Sequence, residues 1–171
     1  MKLVENIAKV ELIENESGDK SIRAIASYVH TKNNNDLYLD GDVIEFKREV
    51  YPFLFNHGKS ADDFLGETRT HYDAELDAYV SDINVYDNRP EIIKAIENGV
   101  YDSVSISYYI TEYSFGDEDE IIVKHAIMNE VSLVSVGADP EAKLMNNELA
   151  NERKAFIEAK NRLKEIKSYY E

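Results

Sequence analysis

Alternating apolar and polar residues run through the larger, N-terminal part of the chain and predict a series of β-strands. The clearest case is residues 21–29, where Ile22, Ala24, Ala26 and Tyr28 alternate with other residues as in a strand with one buried face. Further apolar or alternating runs predict more strands, at residues 51–55, 66–72, 74–83, 100–115, 121–128 and 131–136. Because these runs follow one another without intervening helices, they favour a mostly β, barrel-like sheet over a parallel α/β fold.

One short helix interrupts the predicted strands. Asn88 is its predicted cap, Pro90 lies near its first turn, and Ile92 and Ile96 belong to its apolar stripe. Gly99 ends it, since glycine is the preferred residue just past a helix. The fold class expected from these signals is therefore α+β, with strands in the majority.

The C-terminal segment predicts a longer, amphipathic helix. Its apolar residues recur every seventh position and are Leu149, Phe156, Leu163 and Tyr170, with Ala159 and Ile166 between them. This is a coiled-coil-like seam of about three heptads. The periodicity identifies the face that is buried but not what covers it. Two interpretations stay open: a helix docked on its own body, or a helix for oligomerisation or partner binding.

Composition divides the chain in the same way. All 7 glycines and all 3 prolines lie before residue 141, together with the whole of the acidic excess that gives a net charge of −15. We therefore expect a β-barrel domain at residues 1–145 and a helical tail at residues 146–171.

Composition also excludes several classes of function. The chain has no cysteine, which removes thiolate catalysis, cysteine-ligated zinc and disulfides. A body this acidic is a poor match for nucleic acid or an anionic membrane, because phosphate binding needs clustered lysine and arginine. No run approaches the roughly 20 apolar residues of a membrane-spanning helix. Protein or small-molecule partners are therefore expected.

The predicted strand at residues 100–115 carries the first candidate for chemistry. Its alternation puts Ser103, Ser105 and Ser107 on one face and the apolar residues on the other. A row of hydroxyls on a strand is either a solvated face or a nucleophile displayed from a rigid element. The strand alone leaves both interpretations open.

A histidine and a glutamate supply the other candidates. His57 follows an apolar strand and precedes Gly58, so it lies where a buried strand emerges into a loop. Glu130 begins an apolar run, where a carboxylate needs a hydrogen-bonding partner. A structural histidine and an exposed strand-end glutamate are the simpler interpretations. The remaining histidines are expected to be exposed or structural, and they are His30, His71 and His125.

The order and local contexts of these residues resemble the prohead maturation proteases of tailed bacteriophages, a family related in fold to the herpesvirus assemblins. The resemblance covers about residues 50–142. Its most specific part is Glu-Val-Ser-Leu-Val at residues 130–134 followed by Ala-Asp-Pro at 138–140. Asn-His-Gly around His57 and Val-Ser-Ile-Ser-Tyr around Ser105 add to it. The resemblance implies a herpesvirus-protease-like β-barrel flanked by helices.

The same resemblance implies a serine endopeptidase that needs no cofactor and no metal ion. Ser105 would be the nucleophile, His57 the general base and Glu130 the carboxylate that orients the imidazole. One departure stands out, because Ser107 occupies a position where the family usually has glycine. The residues do not identify the oxyanion donors. Gly137 and Ala138 are candidates by position alone.

The resemblance further implies a biological setting. The substrates would be phage scaffold and major capsid proteins and the protease itself, cleaved inside the assembling procapsid in the host cell cytoplasm. Residues 143–147 form a polar linker and are a predicted site of self-cleavage. A homo-oligomer, dimeric or larger, is expected, with the C-terminal helix as a candidate interface.

Two other interpretations belong to different classes. The first is a non-catalytic capsid-assembly or scaffold-binding module on the same fold, which Ser107 in place of glycine supports. The second is a metal site built from His57, His71 and Asp62 or Asp63, for which no recognised ligand spacing exists.

Overall fold

The structure, a computed structural model, describes residues 11–14, 20–33, 36–86, 89–134 and 147–168. The strands are β1 (Glu11–Glu14), β2 (Lys20–Tyr28), β3 (Leu37–Leu39), β4 (Ile44–Glu45), β5 (Tyr51–Phe55), β6 (Phe64–Asp73), β7 (Ala78–Val85), β8 (Ser103–Phe115) and β9 (Ile121–Val134). The helices are α1 (Pro90–Glu97) and α2 (Asn147–Ser168), and a 3-10 turn spans Ala61–Asp63. The fold is α+β and mostly β, as predicted.

The strands form one mixed sheet with β9 near its centre. Its order is β1-β2-β7-β6-β5-β9, and β8 pairs along the other edge of β9. Most neighbours are antiparallel, but β3, β4 and β5 lie parallel to β9 in three short pieces, which was not predicted. Residues of β2 approach β8, so the sheet curls into a half-barrel.

The core is built from one face of each strand. In β2 the predicted alternation is confirmed for Ile22, Ala24 and Ala26, which are all buried. It is wrong for Tyr28, which is 37% exposed, because a β-bulge between Ile25 and Ser27 shifts the register and buries Ser27 instead. On β9, Val131 and Leu133 are completely buried. This apolar face supports the opposite face of β8 and β9, where the polar candidates lie.

Helix α1 begins at Pro90, and Arg89 occupies its cap position. The predicted cap, Asn88, lies outside the described residues. The N–H of Val100 donates to the carbonyl oxygen of Ala95 at 2.8 Å, so the chain is still closing the helix at this point. Strand β8 consequently begins at Ser103, three residues later than the pattern predicted.

The turn between β6 and β7 is longer than predicted. The side chain of Asp73 accepts hydrogen bonds from the N–H groups of Glu75 and Leu76, and this turn occupies the start of the predicted strand 74–83. Strand β7 therefore begins at Ala78.

Strand β9 is one strand where the sequence predicted two. Its register with β8 shifts between Ser107 and Tyr108, so that Asn129 and Glu130 together face Ser107. This is a β-bulge, which inserts one residue and re-aims its neighbours. Met128 and Val131 are both buried although they are three residues apart, because the bulge absorbs the extra residue. The last two residues of the predicted strand 131–136 lie outside the described residues.

Helix α2 lies against the end of the β8–β9 hairpin. The ring of Phe156 stacks on Phe115 with centroids 4.5 Å apart. Nζ of Lys160 lies 2.8 Å from the Asp119 carboxylate, and Arg153 donates to the carbonyl oxygen of the same residue at 2.9 Å. The first half of the helix therefore docks on the body of its own chain.

The seam continues past these contacts. Leu163 and Ile166 are 57% and 56% exposed, so the second half of the apolar stripe is uncovered. The side chain of Leu149 and all of Tyr170 lie outside the described residues. Neither helix in the described part of the chain is long and apolar enough to cross a membrane. The division at residues 145 and 146 stays a prediction.

Candidate active site

Three neighbouring strands bring the candidate residues to one end of the sheet. Strand β5 runs parallel to β9 and ends at Phe55, opposite Leu133. Strand β8 is antiparallel to β9, and its Ser105 faces Ser132. The end of β5, the start of β8 and the end of β9 therefore meet, with Glu130 on the central strand.

A left-handed backbone turn directs His57 across the central strand. Asn56 and His57 have φ values of 47° and 56°, which non-glycine residues adopt only at a cost in energy. The N–H of Asn56 donates to the carbonyl oxygen of Leu133 at 2.9 Å, and the N–H of His57 donates to Oγ of Ser132 at 3.0 Å. Strand β9 thus supplies the contacts that stabilise this conformation.

The loop after the histidine explains why glycine follows it. A Cβ atom on Gly58 would lie 2.1 Å from Cγ of Asp63. Asp63 accepts hydrogen bonds from the hydroxyl and the N–H of Ser60 at 2.7 and 2.9 Å. These two bonds, the hydroxyl first, hold the pKa of Asp63 below its usual value. The turn is therefore closed tightly against the backbone of Gly58.

The three predicted residues converge. Nδ1 of His57 lies 2.6 Å from Oε1 of Glu130, and Nε2 of the same ring lies 3.1 Å from Oγ of Ser105. These residues are separated by 73 and 48 positions in the chain. The side chain of Glu130 is only 6% exposed and that of His57 25%. The carboxylate of Glu130 is therefore shielded from solvent, while the imidazole of His57 is partly exposed to it.

The hydrogen bonds assign the roles of the two ring nitrogens. A carboxylate only accepts, so Nδ1 carries the proton and donates to Glu130. Nε2 then has a free lone pair and accepts from the hydroxyl of Ser105. This tautomer is the one that can take a proton from the serine. The arrangement matches the geometry of a nucleophile, a base and an orienting carboxylate.

The neighbouring serines have other partners. Oγ of Ser107 accepts from Nδ2 of Asn129 at 3.2 Å, across the β-bulge. Oγ of Ser103 donates to Asp102 at 2.8 Å. Of the three serines that share this face, Ser105 is the one hydrogen-bonded to the His57 ring.

Sequence reasoning missed Ser132. It lies within the quoted motif and is completely buried, with hydrogen bonds both to His57 and to Glu130. Strand periodicity contained the signal, because residues two apart share a face and Glu130 was already a candidate. Asn129 was also missed, since a bulge cannot be recognised from alternation alone.

The other histidines have structural surroundings. His30 pairs with Asp77 at 2.8 Å on the surface, and His71 is an exposed residue of β6. His125 lies 3.5 Å from a carboxylate oxygen of Glu45. Within the described residues, no group of three or more side chains is arranged to hold a metal ion. Gly137 and Ala138, the positional candidates for oxyanion binding, lie outside the described residues.

Comparison with known proteins adds a relationship to this geometry. The chain is 46% identical over 170 residues to proteins described as "Probable capsid maturation protease" from Lactococcus phage p2 and Lactococcus phage SK1. The alignments cover 97% of this chain and 96% of each relative. This chain belongs to the phage capsid maturation protease family. Membership supports a protease role in capsid maturation, in agreement with the resemblance noted from the motifs.

Family models and solved structures add nothing to this relationship, because no family model matches the chain and no solved structure matches it. The herpesvirus-protease likeness therefore stays a prediction. A capsid maturation protease needs catalytic residues, and the convergent serine, histidine and glutamate are the candidates for them.

Proposed function

We propose that this capsid maturation protease is a serine endopeptidase and that Ser105, His57 and Glu130 are its catalytic triad. The observation that carries the proposal is the continuous hydrogen-bonded line from Glu130 through the imidazole to the Ser105 hydroxyl. The sequence order of the three residues in a chain of this family supports the same assignment. The herpesvirus-protease-like barrel is proposed with it, supported by the curled sheet and the two flanking helices.

The geometry supports a two-step mechanism. Oγ of Ser105 attacks the carbonyl carbon of the scissile peptide while its proton passes to Nε2 of His57. The imidazolium then donates that proton to the leaving nitrogen, the C–N bond breaks, and an acyl-enzyme remains. Water attacks the ester carbon and gives a proton to Nε2; the imidazolium then returns this proton to Oγ of Ser105 as the C–Oγ bond breaks, which releases the new carboxyl end of the substrate and restores the enzyme. The negative carboxylate of Glu130 stabilises the imidazolium in both steps.

The proposed substrates follow from the family and its relatives. We expect cleavage of the major capsid protein and the scaffold, and of the protease itself, inside the assembling procapsid in the host cell. The predicted self-cleavage site at residues 143–147 falls largely outside the described residues. A homo-oligomer is proposed as well, supported by the uncovered Leu163 and Ile166 on α2.

The direct test is co-expression with the cognate capsid and scaffold proteins. Mass spectrometry of the assembled particles compares the wild type with the Ser105→Ala, Ser103→Ala and Ser107→Ala variants. Ser103 and Ser107 are matched controls, because they share the strand face but hydrogen-bond to other groups. We expect Ser105→Ala to abolish processing and both controls to retain it.

Labelling with a fluorophosphonate identifies the nucleophile independently. The Ser105 oxygen displaces fluoride from phosphorus, and His57 takes the hydroxyl proton. Labelling should therefore be found on Ser105 and disappear in Ser105→Ala. Processing that continues in Ser105→Ala, with no labelling of the wild type, would overturn the assignment and favour the non-catalytic assembly module.

A further inference from the structure

A fourth side chain joins the proposed triad at its centre. Ser132 lies on β9 directly opposite Ser105 and two residues from Glu130. It is completely buried, at 0% exposure, although its side chain is polar. Burying a hydroxyl costs free energy unless it is hydrogen-bonded, so its hydrogen-bond partners indicate its structural role.

The hydroxyl has two partners, and its role toward each is fixed. A backbone N–H can only donate, so Oγ of Ser132 accepts from the N–H of His57 at 3.0 Å. Its own proton is then donated to Oε2 of Glu130 at 2.7 Å. A single hydroxyl thus connects the backbone of the base to the carboxylate that orients it.

Each of these two bonds restrains something that the proposed chemistry needs. Oε1 of Glu130 accepts from the imidazole, so a bond to Oε2 prevents the carboxylate from rotating away from the ring. The bond to the His57 N–H supports a backbone with φ of 56°, which relaxes unless neighbouring groups stabilise it. Loss of the hydroxyl would release both restraints together.

From these contacts we infer that Ser132 is a positioning residue that sets the distance and orientation between His57 and Glu130. The catalytic part of this inference rests on the proposed triad, because Ser132 would influence Ser105 only through its hydrogen bonds to His57 and Glu130. Its structural consequence, an altered His57–Glu130 hydrogen bond, is measurable whether or not the triad is catalytic.

The primary variant is Ser132→Ala, with Ser81→Ala as its matched control. Ser81 is also a completely buried serine, and its hydroxyl bonds to Thr70 at 2.8 Å on a different pair of strands. Both variants remove one hydrogen-bonded hydroxyl from the interior. An effect of lost stability alone would appear in both, and thermal unfolding measures it.

The first readout is the rate of fluorophosphonate labelling, resolved into the binding constant and the inactivation rate constant. We expect Ser132→Ala to lower the inactivation rate constant by about 10- to 100-fold, the range for a misplaced catalytic group. The binding constant should not change, because Ser132 is completely buried and a reagent arriving from solvent does not reach it. Ser81→Ala should retain both wild-type constants.

The second readout is the low-field proton resonance of the His57 Nδ1–H group, measured by NMR. Glu130→Gln, which removes the charged acceptor, assigns the resonance. We expect it to move upfield or broaden in Ser132→Ala and to stay in place in Ser81→Ala. This readout does not depend on activity, so it tests the positioning role even if Ser105 is not the nucleophile.

A second substitution covers the case in which Ser132→Ala does not fold. Ser132→Cys preserves the shape but donates and accepts only weakly, and the chain has no other cysteine to pair with it. An intermediate loss in both readouts is expected. A wild-type inactivation rate constant and an unmoved resonance in whichever of the two variants folds would overturn the inference. If Ser105→Ala retains activity while the resonance moves, the triad proposal fails and the positioning role stands.

Discussion

Replacing Glu130 with glutamine tests the electrostatic part of the proposed mechanism with almost no change of shape. The carboxylate accepts two hydrogen bonds, from the imidazole at 2.6 Å and from Ser132 at 2.7 Å. A glutamine amide has one accepting and one donating end, so it satisfies these two partners only if one of them changes its role. If the NH₂ group faces His57, Nδ1 must become the acceptor and the proton moves to Nε2, which can no longer take a proton from Ser105.

The alternative orientation keeps the tautomer but loses the charge. Two opposite unit charges about 4 Å apart attract by about 4 kcal/mol at an effective dielectric constant near 20. Since about 1.4 kcal/mol corresponds to a factor of ten, the imidazolium formed during the reaction would lose stabilisation worth about 10³-fold in rate. The wrong tautomer costs about 10⁴-fold in a comparable serine protease triad. We therefore expect Glu130→Gln to slow acylation by about 10³- to 10⁴-fold.

The assay is the inactivation rate constant for fluorophosphonate on Ser105, together with processing of the capsid protein in assembled particles. Thermal unfolding serves as the control, because a neutral, similarly shaped side chain removes the cost of burying a charge and should leave the fold intact. A folded Glu130→Gln variant that reacts within about tenfold of the wild type would refute the reasoning, since neither the charge nor the tautomer would then matter.

Two further predictions concern the stability of the fold outside the proposed triad. A Cβ atom on Gly66 would lie 2.0 Å from the carbonyl oxygen of Asn84 on β7; Gly66→Ala should therefore lower the free energy of unfolding by about 1–3 kcal/mol in urea titration, and an unchanged value would contradict the close approach. The bond from Lys160 to Asp119 holds the pKa of this carboxyl below its usual 3.8. The stabilisation is present above that value and lost as the pH falls through the lowered pKa, so the protection of α2 amides, measured against their intrinsic exchange rate at each pH, should fall in acid, and Lys160→Gln should reduce this pH dependence.

The parts of the site that the sequence predicted are those encoded by local pattern. Ser105 lies on the polar face of a strand whose other face is apolar, and Val104 and Ile106 are buried as the alternation required. His57 was singled out because it follows a buried apolar run. Such signals need only neighbouring residues, so they were available without a structure.

The parts that could not be predicted depend on contacts between distant segments. The positive φ values of Asn56 and His57 are stabilised by partners that β9 supplies for their N–H groups, and those partners lie far away in the chain. The bulge at Asn129 also arises from pairing, since β9 has one more residue than the stretch of β8 opposite it. The sequence therefore predicted two strands where the structure has one.

Strand direction is what turns these separate features into a site. Because β5 is parallel to β9, the residues after Phe55 emerge beside Leu133, at the end of β9 where Ser132 faces Ser105. An antiparallel β5 would direct those residues toward the β8–β9 turn and away from Ser105. Antiparallel pairs are commoner in proteins, but this site requires β5 to lie parallel to β9. The unexpected mixed topology of the sheet and the convergence of the three side chains therefore have the same origin.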